Sequence, residues 1–253
     1  MSPGGLTMGD KPGLVLLTGG TRGIGRALAR AFLATGRAVA ATWHADEIAA
    51  QGTREEFEPY GLSFSLTRCD AADPAAVRNW VSAVLQAQGP PDCAIHNAGS
   101  TLNARLAQTE EADWDAAMAL HLGGAKNLVQ ACLRPMMKAG GQFIFLSSVV
   151  ATTGNIGQPA YSAAKAAVVG FSRSVAREYG ARRVRANVVL PGFHLTRLSE
   201  GLAPNALEAI RSRHLLAEST SLEEVAGFFL WLATTQTISG QIFNLDSRLP
   251  GYL

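Results

Sequence analysis

Short runs of β-forming residues alternate with longer helical stretches along almost the whole chain, and this alternation restricts the fold more than any other feature. The runs are Leu14–Leu17, Ala38–Thr42, Ser63–Arg68, Cys93–His96, Gln142–Ser147, Arg185–Val189 and Gln241–Leu245. Between them, Ile24–Thr35, Ala75–Ala87, Trp114–Met137, Tyr161–Tyr179 and Leu222–Ala233 carry apolar residues at helical spacing, each long enough to return across a sheet. Repeated strand–helix–strand units predict an α/β fold, a single doubly wound parallel sheet of Rossmann type with helices on both faces. No Pro/Ser-rich or charged linker divides the 253 residues. One catalytic domain is expected over residues 13–253, preceded by a flexible tail at 1–12, with a substrate lid at about 193–220 in the irregular stretch from Gly192 to Ser221.

The first run opens directly into Thr18-Gly-Gly-Thr-Arg-Gly-Ile-Gly25 and then a helix. Gly19, Gly23 and Gly25, spaced by Thr21, Arg22 and Ile24, permit a tight turn and close helix packing. That leaves free N–H groups at a positive helix end to face a pyrophosphate. A dinucleotide is the expected ligand. An acid at the end of the second strand would bond a ribose 2′-hydroxyl and repel a 2′-phosphate, but that strand ends Thr42-Trp43-His44, with Asp46 and Glu47 only later. Arg22 can offer a guanidinium to a phosphate, and Thr42 and His44 can add contacts, so NADPH/NADP+ is the cofactor expected.

Composition narrows the alternatives. With 22 Lys+Arg against 20 Asp+Glu the net charge is +2, which supplies no electrostatic footprint for nucleic acid. The apolar stretch Val225–Ala233 falls far short of the roughly 20 residues that cross a bilayer. The N-terminal stretch lacks the basic start and apolar core of a secretory signal, so a cytoplasmic location and no membrane partner are expected. Cys69, Cys93 and Cys132 are widely spaced in apolar segments, which predicts reduced, buried thiols and no metal cluster.

Tyr161 and Lys165 stand four residues apart at a helix start, hence one turn apart on one face. The ammonium is expected to lower the phenol from its ordinary value of about 10 toward the range of a working proton donor. Ser148 follows the run Gln142–Ser147 and aims a hydroxyl above the carboxyl edge of the sheet. Ser147 beside it alternates to the opposite face.

With these residues the chain resembles the short-chain dehydrogenase/reductase family over nearly all of residues 13–248, and looks closest to its 3-oxoacyl-acyl-carrier-protein reductase group. The resemblance rests on the Gly-rich turn, Asp70, His96-Asn97-Ala98-Gly99, Ser148, Tyr161 with Lys165, and Pro191-Gly192-Phe193-His194-Leu195-Thr196. It implies hydride transfer from the nicotinamide to a carbonyl carbon, with Tyr161 protonating the oxygen and Ser148 bonding it. Lys165 would contact the nicotinamide ribose. Asp70 and the backbone of Asn97, Ala98 and Gly99 would line the adenosine side, while the Pro191–Gly192 turn, the backbone near His194, and Thr196 would hold the carboxamide. The family also implies a homotetramer or homodimer built on the Trp114–Met137 and Tyr161–Tyr179 helices, the latter carrying Phe171 and Val175.

Three departures stand out. His121 replaces an asparagine that completes a proton relay; an imidazole both donates and accepts, and its ordinary pKa of about 6.5 would add pH sensitivity. The segment His214–Ser221 lacks a Gly-containing turn, and Asn244–Arg248 replaces a Gly-Gly pair. An acidic acyl carrier protein would need basic residues by the entrance, for which Lys138, Arg182 and Arg183 are candidates, although Ala139 stands where a second base is common. The leading expectation is an NADPH-dependent ketoreductase acting on a β-ketoacyl thioester or similar small ketone. The alternatives are a dinucleotide-binding subunit without turnover and an NAD-dependent alcohol dehydrogenase.

Overall fold

The computed structural model describes residues 13–101, 103–194, 204–216 and 220–248. Seven strands, β1 (Leu14–Thr18), β2 (Ala38–Trp43), β3 (Phe64–Arg68), β4 (Cys93–His96), β5 (Gly141–Leu146), β6 (Val184–Leu190) and β7 (Ile242–Asn244), form one sheet in the order β3-β2-β1-β4-β5-β6-β7. All neighbours are parallel. The chain winds outward from β1 to β3, then returns to β4 and winds the other way. The order therefore reverses between β1 and β4, which opens a crevice at their carboxyl ends.

The helices are α1 (Gly23–Ala34), α2 (Glu47–Phe57), α3 (Pro74–Gln88), α4 (Glu111–Met118), α5 (Gly124–Ala139), the single turn α6 (Val150–Thr153), α7 (Pro159–Tyr179), α8 (Pro204–Arg211) and α9 (Leu222–Thr234). A π turn, Ala119–Gly123, joins α4 to α5. The expected Trp114–Met137 helix is thus one rod whose ladder is widened once, at His121.

Alternation along β1 divides the core. Leu14 and Leu16 face Val77 and Trp80 of α3, Leu128 of α5 and Val168 of α7, while Val15 and Leu17 face Leu28 and Phe32 of α1 and Phe229 of α9. Strands buried on both faces must read as continuous apolar runs, as β1, β4, β5 and β6 do; the ends of all seven strands fall within one residue of their expected positions. Truncating Phe32, fully buried, would cost about 3–5 kcal/mol, a large share of the roughly 5–15 kcal/mol that holds such a domain folded.

Besides the single turn α6, two helices arise where none was expected. In α2 polar residues dilute the apolar stripe; Asp46 starts it by accepting the Ala49 N–H at 3.0 Å. Helix α8 occupies part of the stretch expected to be irregular, with Pro204 at its first position. The remainder of the expected lid, residues 195–203 and 217–219, lies outside the described residues.

Candidate active site at the carboxyl edge of the sheet

The Gly-rich turn is shaped by close approach of backbone. Gly19 has φ +72, and a Cβ there would lie 2.9 Å from Ala98 Cα; a Cβ on Gly25 would lie 1.9 Å from the Gly19 oxygen. The side chain of Asn97 bridges both sides, donating to the Gly19 carbonyl at 2.6 Å, and Thr18 Oγ1 accepts the N–H groups of Asn97 and Ala98 at 3.1 Å each. Helix α1 begins at Gly23 with no side-chain cap and no acid in its first turn. Its exposed N–H groups and positive end fit a pyrophosphate.

At the adenosine end the structure alters some expectations. Thr42 is buried, with its hydroxyl accepting the Gly19 N–H at 3.3 Å and its carbonyl accepting the Gly20 N–H at 2.8 Å, so it braces the turn from behind. The Thr21 carbonyl similarly receives Thr53 Oγ1 at 3.2 Å. The Arg22 guanidinium is paired with Asp46 at 2.8 Å. The carboxylate that the sequence placed beyond the strand end thus reaches back to the one cation expected to face a 2′-phosphate. Two further arginines were not foreseen: Arg54 and Arg68 flank the Trp43 ring, 5.6 and 5.5 Å from its centroid, and Arg68 donates to the His44 carbonyl. Arg68 pairs in register with Trp43, so the expected β2 and β3, aligned in parallel, carried its signal. His44 is exposed, 3.9 Å from Asp70, whose other oxygen accepts the Ala72 N–H.

The reacting end is buried. Ser147 turns inward and donates to the Lys165 carbonyl at 2.9 Å, whereas Ser148, past the end of β5, has its hydroxyl on the Tyr161 side chain. Burial pushes the Tyr161 phenol above its ordinary value, and the Ser148 hydroxyl offsets only part of this. The expected lowering by Lys165 is not found. Its ammonium donates to the Leu146 carbonyl at 2.9 Å and lies 5.6 Å from the Tyr161 ring centre, while burial pulls it down to about 8. Loss of water outweighs attraction for both groups, leaving the phenol protonated.

His121 sits in the π turn, 1% exposed, its ring edge-on to Tyr161 at 5.2 Å between centroids. Its Nε2 donates to the Ser100 carbonyl at 2.9 Å; its Nδ1 is buried without a partner. Burial, with the Lys165 charge, lowers its pKa to about 2. The pH sensitivity expected of it is therefore corrected: the ring is neutral throughout the working range. A Cβ on Gly99 would lie 2.8 Å from His121 Cε1, so this glycine makes room for the imidazole.

Toward the nicotinamide side, Gly192 takes φ +91 and packs its backbone on Asp246, and His194 Nε2 donates to the Pro191 carbonyl at 2.8 Å. Thr196 lies outside the described residues. Asp246, with a fully buried side chain, pairs with Arg248 and stands 3.7 Å from His214, whose Nδ1 also meets Ser247 Oγ at 2.9 Å. The residues replacing a Gly-Gly pair thus tie His214, which follows α8, to the stretch after β7 that packs on Gly192.

One other expectation is corrected. Lys138, Arg182 and Arg183 immediately precede β5 or β6, at the amino edge of the sheet, with the Arg183 carbonyl receiving the Gly141 N–H. Tyr161 lies beyond the carboxyl edge, and a strand of six residues spans about 20 Å, so within one chain these cations do not flank the entrance. Val175 is buried in the core, and Phe171 is half-buried against Phe145. The three thiols are free and buried, with Cys69 raised to about 11 and Cys93 to about 12 by burial. Among the described residues no acidic, His or Cys group could hold a metal, and no helix is long and apolar enough to cross a membrane.

A parallel sheet whose switch point carries an uncapped, glycine-built helix start, with a serine, a protonated tyrosine and a lysine gathered beside it, defines a dinucleotide-dependent oxidoreductase. A family model described as enoyl-(acyl carrier protein) reductase matches residues 19–247. The chain belongs to that family, the short-chain dehydrogenases/reductases. It is 36% identical to the 3-oxoacyl-[acyl-carrier-protein] reductase of a Synechocystis species, across 93% of this chain and 96% of that one. It is 34% identical to the reductase FabG of Thermotoga maritima, across 92% and 96%. Among solved structures it resembles a dehydrogenase/reductase from Sinorhizobium meliloti, with TM-score 0.86, 29% identity and coverage of 93% and 94%. A blue fluorescent protein from a metagenomic library, solved in complex with NADPH, matches at TM-score 0.86 and 29% identity over 93% and 97%.

Proposed function

We propose that this chain is an NADPH-dependent ketoreductase that reduces the carbonyl of a β-ketoacyl thioester or a similar small ketone, with Tyr161 as proton donor. The observation that carries this reading is the Tyr161 phenol, held protonated by burial and bonded to Ser148 beside the nucleotide turn. The names of the relatives, 3-oxoacyl-[acyl-carrier-protein] reductases, and the NADPH complex of the structural neighbour support it.

The residues present fit the cofactor. The α1 start would receive the pyrophosphate, Arg22 and Arg68 the 2′-phosphate, Asp70 with the backbone of Asn97 to Gly99 the adenosine side, Lys165 the nicotinamide ribose, and the Pro191–His194 turn with Thr196 the carboxamide. When bound, NADPH supplies the hydride. Ser148 and Tyr161 grip the carbonyl oxygen, and Tyr161 gives it a proton as negative charge develops. Lys165, charged below about pH 8, stabilises the phenolate left behind. The unused Nδ1 of His121 accepts a hydrogen bond from the water that returns the proton.

The protein acts as a cytoplasmic homodimer or homotetramer on an acyl thioester; whether a carrier presents that thioester is read by comparing acetoacetyl thioesters of a carrier protein and of a small thiol. One observation favours a second cofactor: the Asp46 carboxylate on Arg22 would suit NADH. Following NADPH and NADH oxidation with an acetoacetyl thioester, with Tyr161→Phe as blank, tests both points. Turnover surviving in Tyr161→Phe removes the proton-donor role, and preference for NADH removes the cofactor assignment.

A further inference from the structure

Trp43 ends β2 with its indole 5% exposed and its Nε1–H buried without a hydrogen-bond partner among the described residues. An orphaned buried donor is destabilising, and a phenylalanine would fill the place without one. What the indole has over a phenyl ring is the aromatic face that attracts a cation most strongly. Two guanidiniums use that face, Arg54 from α2 at 5.6 Å and Arg68 from β3 at 5.5 Å.

The three arginines at this end of the groove differ in what holds their charge. Arg22 is paired with Asp46 at 2.8 Å, and Arg54 reaches Glu47 at 3.5 Å. Arg68 pairs with no carboxylate among the described residues. Its Nε donates to the His44 carbonyl at 3.2 Å, the one hydrogen bond its side chain makes among those residues, so both Nη groups are open. The register Trp43↔Arg68 sets it beside the strand end, where the 2′ position of an adenosine ribose is read. A guanidinium fixed at Nε, with both terminal nitrogens open, is the protein's half of a bidentate phosphate contact, ordered in advance by a ring and a carbonyl.

We propose that Arg68 distinguishes NADPH from NADH in this chain, its fork receiving the 2′-phosphate, and that Trp43 is a positioning residue that acts through it. The proposal deepens the NADPH reading and rests on it. It moves the weight of the discrimination from Arg22, in the glycine turn, to the paired ends of β2 and β3.

Trp43→Leu leaves all three arginines in place and takes away the ring face. Trp43→Phe keeps a weaker face and removes the orphaned donor, and Arg68→Met removes the fork while keeping an apolar stem. Dissociation constants are read for NADPH and NADH by cofactor fluorescence, and for adenosine 2′,5′-bisphosphate and 5′-AMP by calorimetry, which needs no turnover. Arg68→Met is expected to weaken NADPH and the bisphosphate about thirtyfold, the scale of a charge-assisted bidentate contact, with NADH and 5′-AMP within about twofold of the parent. Trp43→Leu should weaken the same two ligands about tenfold and Trp43→Phe about threefold, again sparing NADH and 5′-AMP. The double variant Trp43→Leu, Arg68→Met should bind NADPH no more weakly than Arg68→Met alone, because the ring acts only through that arginine. Equal losses for NADPH and NADH in Trp43→Leu, or losses that multiply in the double variant, show a structural role only and overturn the proposal, as does a parental NADPH-to-NADH ratio in Arg68→Met. If Trp43→Leu fails to fold, Trp43→Phe decides, and a parental ratio there overturns it. A parent that binds NADPH no more tightly than NADH removes the NADPH reading itself; a parent that prefers NADPH, with a ratio unmoved by the variants, removes this inference alone.

Discussion

The two ends of the nucleotide groove handle charge in opposite ways. At the adenosine end Arg22, Arg54 and Arg68 stand in contact with water, their charges set against a carboxylate or an aromatic face, and exposed His44 lies near Asp70. At the reacting end Tyr161, Lys165, His121 and His96 are stripped of water, and burial moves each toward its neutral form. The difference teaches that one end is built for affinity, which charge in a screened setting can tune, and the other for chemistry, which needs protons held at fixed atoms.

The sharpest way to break this contrast is Tyr161→Phe, which should lower kcat by about a thousandfold while leaving NADPH affinity within about twofold; comparable losses in both would show that the ends are not separable. A Cβ at Gly25 should do the reverse, because it strikes the Gly19 carbonyl: Gly25→Ala is expected to weaken NADPH at least a hundredfold, about 2.7 kcal/mol, measured by cofactor fluorescence. The pH behaviour comes next. Ketone kcat/KM should fall as pH rises through about 8, where Lys165 of the free enzyme loses its charge, with no inflection from His121 between pH 5 and 8. The same histidines predict an acid limb in stability. Their folded pKa values, about 3 for His96 and about 2 for His121, lie below the ordinary 6.5, so the unfolded chain takes up protons first. Stability from these rings is present above about pH 6.5 and is lost as pH falls toward 3. Thermal melts of His96→Asn and His121→Asn should show a shallower limb.

The smallest effects belong to the solvated end. Arg22→Ala should weaken NADPH about tenfold, and less at high salt. Asp46→Asn keeps the α2 cap while deleting the charge on Arg22; it should tighten NADPH about threefold, and unchanged affinity would show that Asp46 swings clear when the phosphate arrives.

The strands were legible because sequence and burial report the same thing in a parallel sheet: residues 143–146 are apolar because both faces are covered. The glycine turn and the Ser148, Tyr161 and Lys165 set were legible because their spacing follows from one strand end and one helix turn. Helix α2 was not, since its buried positions, Ala50, Thr53 and Phe57, make too thin a stripe among charged residues. The sign of the Tyr161 shift was missed because spacing shows that a lysine is near but not that both groups are dry. The site of Arg182 and Arg183 could have been read: residues that precede a strand lie at its amino edge, away from the chemistry. Neither the π turn nor the fit of Gly99 to His121 and of Gly124 to His96 has a signature in spacing, because each depends on packing between segments distant in sequence.

The dry interior has one practical consequence. All three cysteine sulfurs are enclosed and held as thiols, the form that attacks electrophiles slowly. A cysteine placed at exposed Glu208 on α8 would therefore take a maleimide dye selectively in the otherwise unaltered protein. Whether the surroundings of α8 change when NADPH binds would then be readable as a fluorescence signal, with no background cysteines to remove.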